Sequence, residues 1–123
     1  GVGVKHIYEV DTYQQAKLTE IVTQAISNDS LSVVIARHPC MLKFTREQRK
    51  KSTYEQKHVE IDPGRCERIH TCIDTFGCPT FTRDTEGRVT INTDLCIGDG
   101  SCIQTCPTKA IIPAGKKGKG GSA

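Results

Sequence analysis

Seven cysteines stand in this chain, and six of them lie between Cys66 and Cys106. The densest run is "CIGDGSCIQTCP", from Cys96 to Pro107. A bacterial iron–sulfur ligand run has the form C-x2-C-x2-C-x3-C-P. Here the first, third and fourth thiols and the proline are in place, and Asp99 fills the second slot. The run therefore reads as a cluster site with one sulfur replaced by a carboxylate.

A second copy lies upstream. "VEIDPGRCERIHTCIDT" (59–75) aligns with "VTINTDLCIGDGSCIQT" (89–105), and Cys78-Pro79-Thr80 then matches Cys106-Pro107-Thr108. Disulfide scaffolds do not call for matched ligand loops each closed by Cys-Pro, whereas two-cluster ferredoxins do. In those proteins the fourth cysteine of each run serves the other cluster. Applied here, one site takes Cys66, position 69, Cys72 and Cys106, and the other takes Cys96, Asp99, Cys102 and Cys78. Ile69 has no donor atom. The first site then has three thiolates, which suits a [3Fe–4S] cluster or a [4Fe–4S] cluster with an outside ligand. His70, beside the gap, has a nitrogen to offer but reads better as a loop histidine facing solvent or a sulfide. Aspartate can complete a [4Fe–4S] cluster at the second site, although a carboxylate is a harder and weaker partner for iron than a thiolate. A labile corner is expected there. Zinc, disulfides, or a domain that has kept its fold and lost one or both clusters are the competing readings.

Two other signals are set aside. Gly98-Asp99-Gly100 resembles the opening of a thiamine-diphosphate metal signature but lies inside a cysteine loop. Cys40, at the end of an apolar run, reads as a small buried thiol rather than a ligand or nucleophile.

The elements that must position these residues follow from periodicity. Each half of the repeat reads as short strand, ligand loop, short helix, Cys-Pro and an extended segment, with a turn at Glu86-Gly87 between the halves. Upstream, "KHIYEV" (5–10) reads as a strand. Asp11 and Gln14 outline a capping box, and Leu18, Ile21, Val22, Ala25 and Ile26 recur at helical spacing in 12–27. "LSVVIA" (31–36) reads as a strand buried on both faces. Strand–helix–strand of this length is a βαβ crossover with parallel strands. The expected class is α+β: a ferredoxin-like, two-cluster iron–sulfur domain preceded by a partial βαβ unit. The expected boundaries are 1–42 for a βαβ end-piece of a larger α/β domain, 43–57 for a basic linker, 58–113 for the iron–sulfur domain and 114–123 for a disordered tail.

Composition narrows the partners. Seventeen Lys and Arg against fourteen Asp and Glu give a net charge of +3, with much of the excess in 43–57 and 116–119. No aromatic platform accompanies it, so nucleic acid is not expected. No stretch reads as a membrane span or a signal peptide. The start at Gly1 is read as that of a fragment or processed product.

"CIDTFGCP", followed by "CIGDGSCIQTCPTKAI", resembles the C-terminal ferredoxin-like domain of indolepyruvate:ferredoxin oxidoreductase alpha subunits. "GVKHIYEVDTY" and "SLSVVIARHPCML" resemble the last βαβ portion of that family's thiamine-diphosphate domain. The resemblance implies an electron-transfer module of a cytoplasmic 2-oxoacid oxidoreductase of aryl-pyruvate type, passing electrons to external ferredoxin. It implies that Cys66, Cys72, Cys78, Cys96, Cys102 and Cys106 occupy ligand positions, while Ile69 and Asp99 depart from the pattern. Thiamine diphosphate belongs to the parent enzyme and is not bound by this chain alone. The chain is expected not to be a complete enzyme. A structural or interaction module with degenerate sites (one cluster, zinc or apo) is the alternative, and a free-standing small ferredoxin a weaker third.

Overall fold

The computed structural model describes residues 2–115, in two compact units divided between Cys40 and Met41. In the first unit, β1 (His6–Asp11) and β2 (Ser32–Arg37) pair in parallel, with α1 (Gln15–Ser27) between them in sequence. The helix begins later than the capping-box reading placed it. Gln14 is its N-cap and makes no side-chain cap. Asp11 instead ends β1, where its carboxylate accepts the Tyr13 N–H at 2.8 Å and lies 2.7 Å from His38 Nδ1. The nearby imidazole and Tyr13 amide thus engage the carboxylate that the sequence assigned to the cap. Nor is β2 buried on both faces: Val33 and Ile35 are exposed, because α1 covers only one face of a two-stranded sheet. Cys40, read as a buried thiol, is exposed, since β2 ends at Arg37 and the chain leaves the sheet before reaching it.

The second unit opens with α2 (Met41–Gln48), which occupies part of the segment read as a linker. Met41, Phe44, Thr45 and Gln48 recur at helical spacing on one side, and Thr45 is buried. Charged residues at 43, 46 and 47 masked that pattern.

The ferredoxin-like part is a pseudo-twofold pair of halves. β3 (Val59–Ile61) pairs antiparallel with β6 (Ile111–Pro113), and β4 (Phe81–Arg83) with β5 (Val89–Ile91). The first strand of each half is followed by the same turn. Asp62 Oδ1 accepts the Gly64 N–H at 2.9 Å and Asn92 Oδ1 accepts the Asp94 N–H at 3.0 Å. The Asp62 N–H donates to Ala110 O, and the Asn92 N–H to Thr80 O, both at 2.8 Å. Short helical segments then follow, α3 (Thr71–Asp74) in one half and a 3-10 turn, Ser101–Thr105, in the other. The core is small: Val59, Phe81 and Ile111 pack with Cys72, Cys96 and Cys102. Half of its buried members are thiols, so this core rests on groups able to bind metal as well as on apolar burial. Of the tail expected from 114 onward, residues 116–123 lie outside the described residues. The Ala114 N–H donates to His58 O at 2.9 Å.

Candidate iron–sulfur sites

The ligand loops share one backbone path. Arg68 and His70 take left-handed conformations in the first (φ 57° and 61°), as do Gly98 and Gly100 in the second (φ 72° for both). This path bends each loop between its first cysteine and the helical segment bearing the next one.

The segment preceding the first strand of each half packs on the loop of the other half, and the contact is built differently each time. At the second loop, a Cβ on Gly98 would come within 2.1 Å of Lys57 O, so only glycine fits. Gln56 Nε2 donates to Cys96 O at 2.8 Å. At the first loop the glycine sits on the opposite partner. Gly87, thirty residues after Lys57, leaves room for His70, whose Nε2 lies 2.8 Å from Gly87 O. Arg68 Nη1 donates to Glu86 O at 3.0 Å. Two outgoing hydrogen bonds hold the strained Arg68 and His70 in place, at a cost of about 1–2 kcal/mol per left-handed side chain. His70 is half-buried and, through Nε2, ties its loop to the β4–β5 turn.

The loops gather the cysteines into two groups. Cys72 lies close enough to Cys66 and Cys106 for their charges to interact, and all three line one cavity of about 20 Å³ with Ile69. Cys102 stands in the same relation to Asp99, Cys78 and Cys96, which line a second cavity of about 360 Å³. Each group therefore draws its last cysteine, Cys106 or Cys78, from the other half. Among the described residues no three His, Cys, Asp or Glu converge on a single ion.

Burial first, and then the charges of Asp99, Cys78 and Cys96, push the Cys102 thiol up to about 12. Cys72 is raised as well, chiefly by burial and then by Cys106 and Cys66, against its own favourable backbone contacts. Burial also acts on Cys106, but the Thr108 hydroxyl and the N–H groups of Ala110, Thr108 and Ile111 outweigh it and lower its pKa. A buried thiol that resists ionisation becomes a thiolate when a metal cation supplies the counter-charge. The donor set fits an iron–sulfur core: three thiols in the first group, three thiols and a carboxylate in the second. Asp99 accepts a hydrogen bond from Ser101 Oγ at 2.9 Å. That contact was invisible to ligand spacing.

Fold and site define a ferredoxin-like α+β iron–sulfur domain, and a 4Fe-4S binding domain family matches residues 89–112, from β5 into β6. Across nearly its whole length the chain is similar to a part of the indolepyruvate oxidoreductase subunits IorA, as the motifs implied. It is 34% identical to the subunit of Archaeoglobus fulgidus over 93% of the chain and 18% of that protein. The identity to the Methanothermobacter marburgensis subunit is 30%, over 94% of the chain and 17% of the relative. For the Thermococcus kodakarensis subunit it is 30%, over 91% and 17%. The chain thus spans under a fifth of the length of these relatives. No solved structure matches it. Among the described residues no helix is long and apolar enough to cross a membrane.

Proposed function

We propose that this chain is the electron-relay part of a 2-oxoacid oxidoreductase acting on aryl pyruvates, with two iron–sulfur clusters held by crossed ligand sets. Cys66, Cys72 and Cys106 hold one cluster; Cys96, Asp99, Cys102 and Cys78 hold the other. Bound there, the clusters supply one-electron transfer between a donor in the rest of the enzyme and an external acceptor. The observation that carries this reading is the gathering of the thiols into two groups, each completed by a cysteine from the opposite half. Thiamine diphosphate has its place elsewhere in such an enzyme. The exposed apolar face of β1–β2, with Val33 and Ile35, calls for a covering layer, which the rest of such an enzyme would supply. Thiolate ligands call for a reducing compartment, for which we assign the cytoplasm.

An acidic ferredoxin is the acceptor we favour. Lys43, Arg46, Arg49, Lys50, Lys51 and Lys57 are all exposed on α2 and the loop after it. This basic segment is joined to the second group: Arg49 Nη2 donates to Gln56 Oε1 at 3.0 Å, and Gln56 in turn to Cys96 O. Its charge would steer a negative partner to that side.

The test is iron and acid-labile sulfide per chain on anaerobically purified protein, with EPR before and after reduction, for serine variants at each cysteine. Cys106→Ser should damage the same signal as Cys66→Ser, and Cys78→Ser the same signal as Cys96→Ser. Pairing of Cys106 with Cys96 would refute the crossed sets. Folded protein with no iron after reconstitution would refute the relay and leave a structural module.

A further inference from the structure

The two halves fill their second ligand slot unequally. Ile69 is 55% exposed and brings no donor. Asp99, its counterpart, is half-buried, lines the cavity of Cys78, Cys96 and Cys102, and accepts the Ser101 hydroxyl at 2.9 Å. The left-handed turn at Gly100 brings Ser101, the first residue of the 3-10 turn, back over Asp99. The matching residue of the other half is Thr71, which has an isoleucine rather than a carboxylate two positions before it.

A thiolate needs little help to hold iron. A carboxylate is a weaker ligand, with two equivalent oxygens and a side chain free to turn away. Hydrogen bonds to a ligating carboxylate fix its orientation, and losing one typically costs about 10–100-fold in metal affinity.

We infer that Ser101 is the positioning residue that makes Asp99 an effective fourth ligand, so that the second site holds four irons firmly while the first, at Ile69, holds three. The inference rests on the proposed cluster reading. It changes the expectation drawn from ligand type alone, which made Asp99 the labile corner: a ligand held by Ser101 is weaker than cysteine but is pre-oriented.

The experiment uses the full chain, purified anaerobically, and reads iron per chain, the oxidised-state [3Fe–4S] EPR signal and the chelator concentration that removes the fourth iron. The parent chain should contain about seven irons and one such signal. Ser101→Ala should roughly double the signal and lower fourth-iron affinity about 10–100-fold. Ser101→Thr, which keeps a hydroxyl, should restore the parent behaviour. With Asp99→Cys in place, adding Ser101→Ala should change neither readout, which also shows that the serine substitution does not simply unfold the loop. Parent-like iron affinity in Ser101→Ala, alongside a loss in Asp99→Ala, would overturn the role of Ser101 and leave the Asp99 ligand standing. If Asp99→Ala itself changes nothing, the carboxylate is not a ligand and the inference falls with it.

Discussion

Gly98→Ala should be among the most damaging single-atom-group changes in the second unit. Two costs combine. Gly98 has φ 72°, and an L side chain in that region costs about 1–2 kcal/mol. The added methyl would also lie 2.1 Å from Lys57 O and 2.9 Å from Lys57 C, both backbone atoms that cannot rotate aside. Relieving such an overlap typically costs about 1–3 kcal/mol. The sum is about 2–5 kcal/mol. Gly87→Ala is the matched control. It has nearly the same φ, 77°, but its methyl would meet only the His70 ring, at 3.6 Å, an ordinary contact. It should therefore show the conformational cost alone. The difference between the variants, about 1–3 kcal/mol, corresponds to a urea midpoint shift of roughly 1 M for a slope of about 2 kcal/mol/M. Urea unfolding by far-UV circular dichroism gives the midpoints. Hydrogen exchange at the Asp62 and Asn92 amides, which bridge the halves, locates the loss to this unit. Equal midpoints for the two alanine variants would refute the argument that the Lys57 backbone closes on the second loop.

Two further outcomes follow from the same geometry. The Asp84 carboxyl is held below its ordinary 3.8 first by the Arg88 side-chain hydrogen bond and then by the Arg88 N–H, against a burial effect that the Glu86 N–H and the Arg88 charge help to overcome. A depressed folded-state pKa stabilises above the unfolded value and loses that contribution as pH falls through the folded one. Carboxyl NMR should therefore place the Asp84 midpoint below 3.8, and Asp84→Asn should flatten the acid limb of the stability profile; a midpoint at or above 3.8 contradicts the turn geometry. Replacing Lys43, Lys50 and Lys51 by Glu should slow electron transfer to an acidic ferredoxin about tenfold or more at low salt, with the gap closing as salt rises. A deficit that persists at high salt would place the defect inside the domain rather than in docking.

What the sequence determined by itself was local. The offset of thirty between the loops, the Cys-Pro endings and the turn at Glu86-Gly87 all act over a few residues, where chain geometry leaves few options. The parallel pairing of β1 with β2 was legible for the same reason: a helix of this length between two strands leaves the crossover as the short connection. The reading of 43–57 as a linker did not place α2, because one short face with a single buried residue is a weak signal among charges, and only packing showed Thr45 to be inside. Asp11 looked like a cap because its type and position fitted one. Whether it caps or meets His38 depends on where β2 ends, twenty-six residues later at Arg37. Likewise spacing named Asp99 but not Ser101, and it marked Gly98 and Gly87 without relating them. Tertiary structure alone decided that each loop is held by the segment leading into the other half, with the glycine on the loop in one case and on the opposing segment in the other. That relation joins residues forty positions apart, such as Gln56 and Cys96. It exists only once β3 has closed on β6 and β4 on β5, since no local propensity can bring such distant backbone atoms into contact.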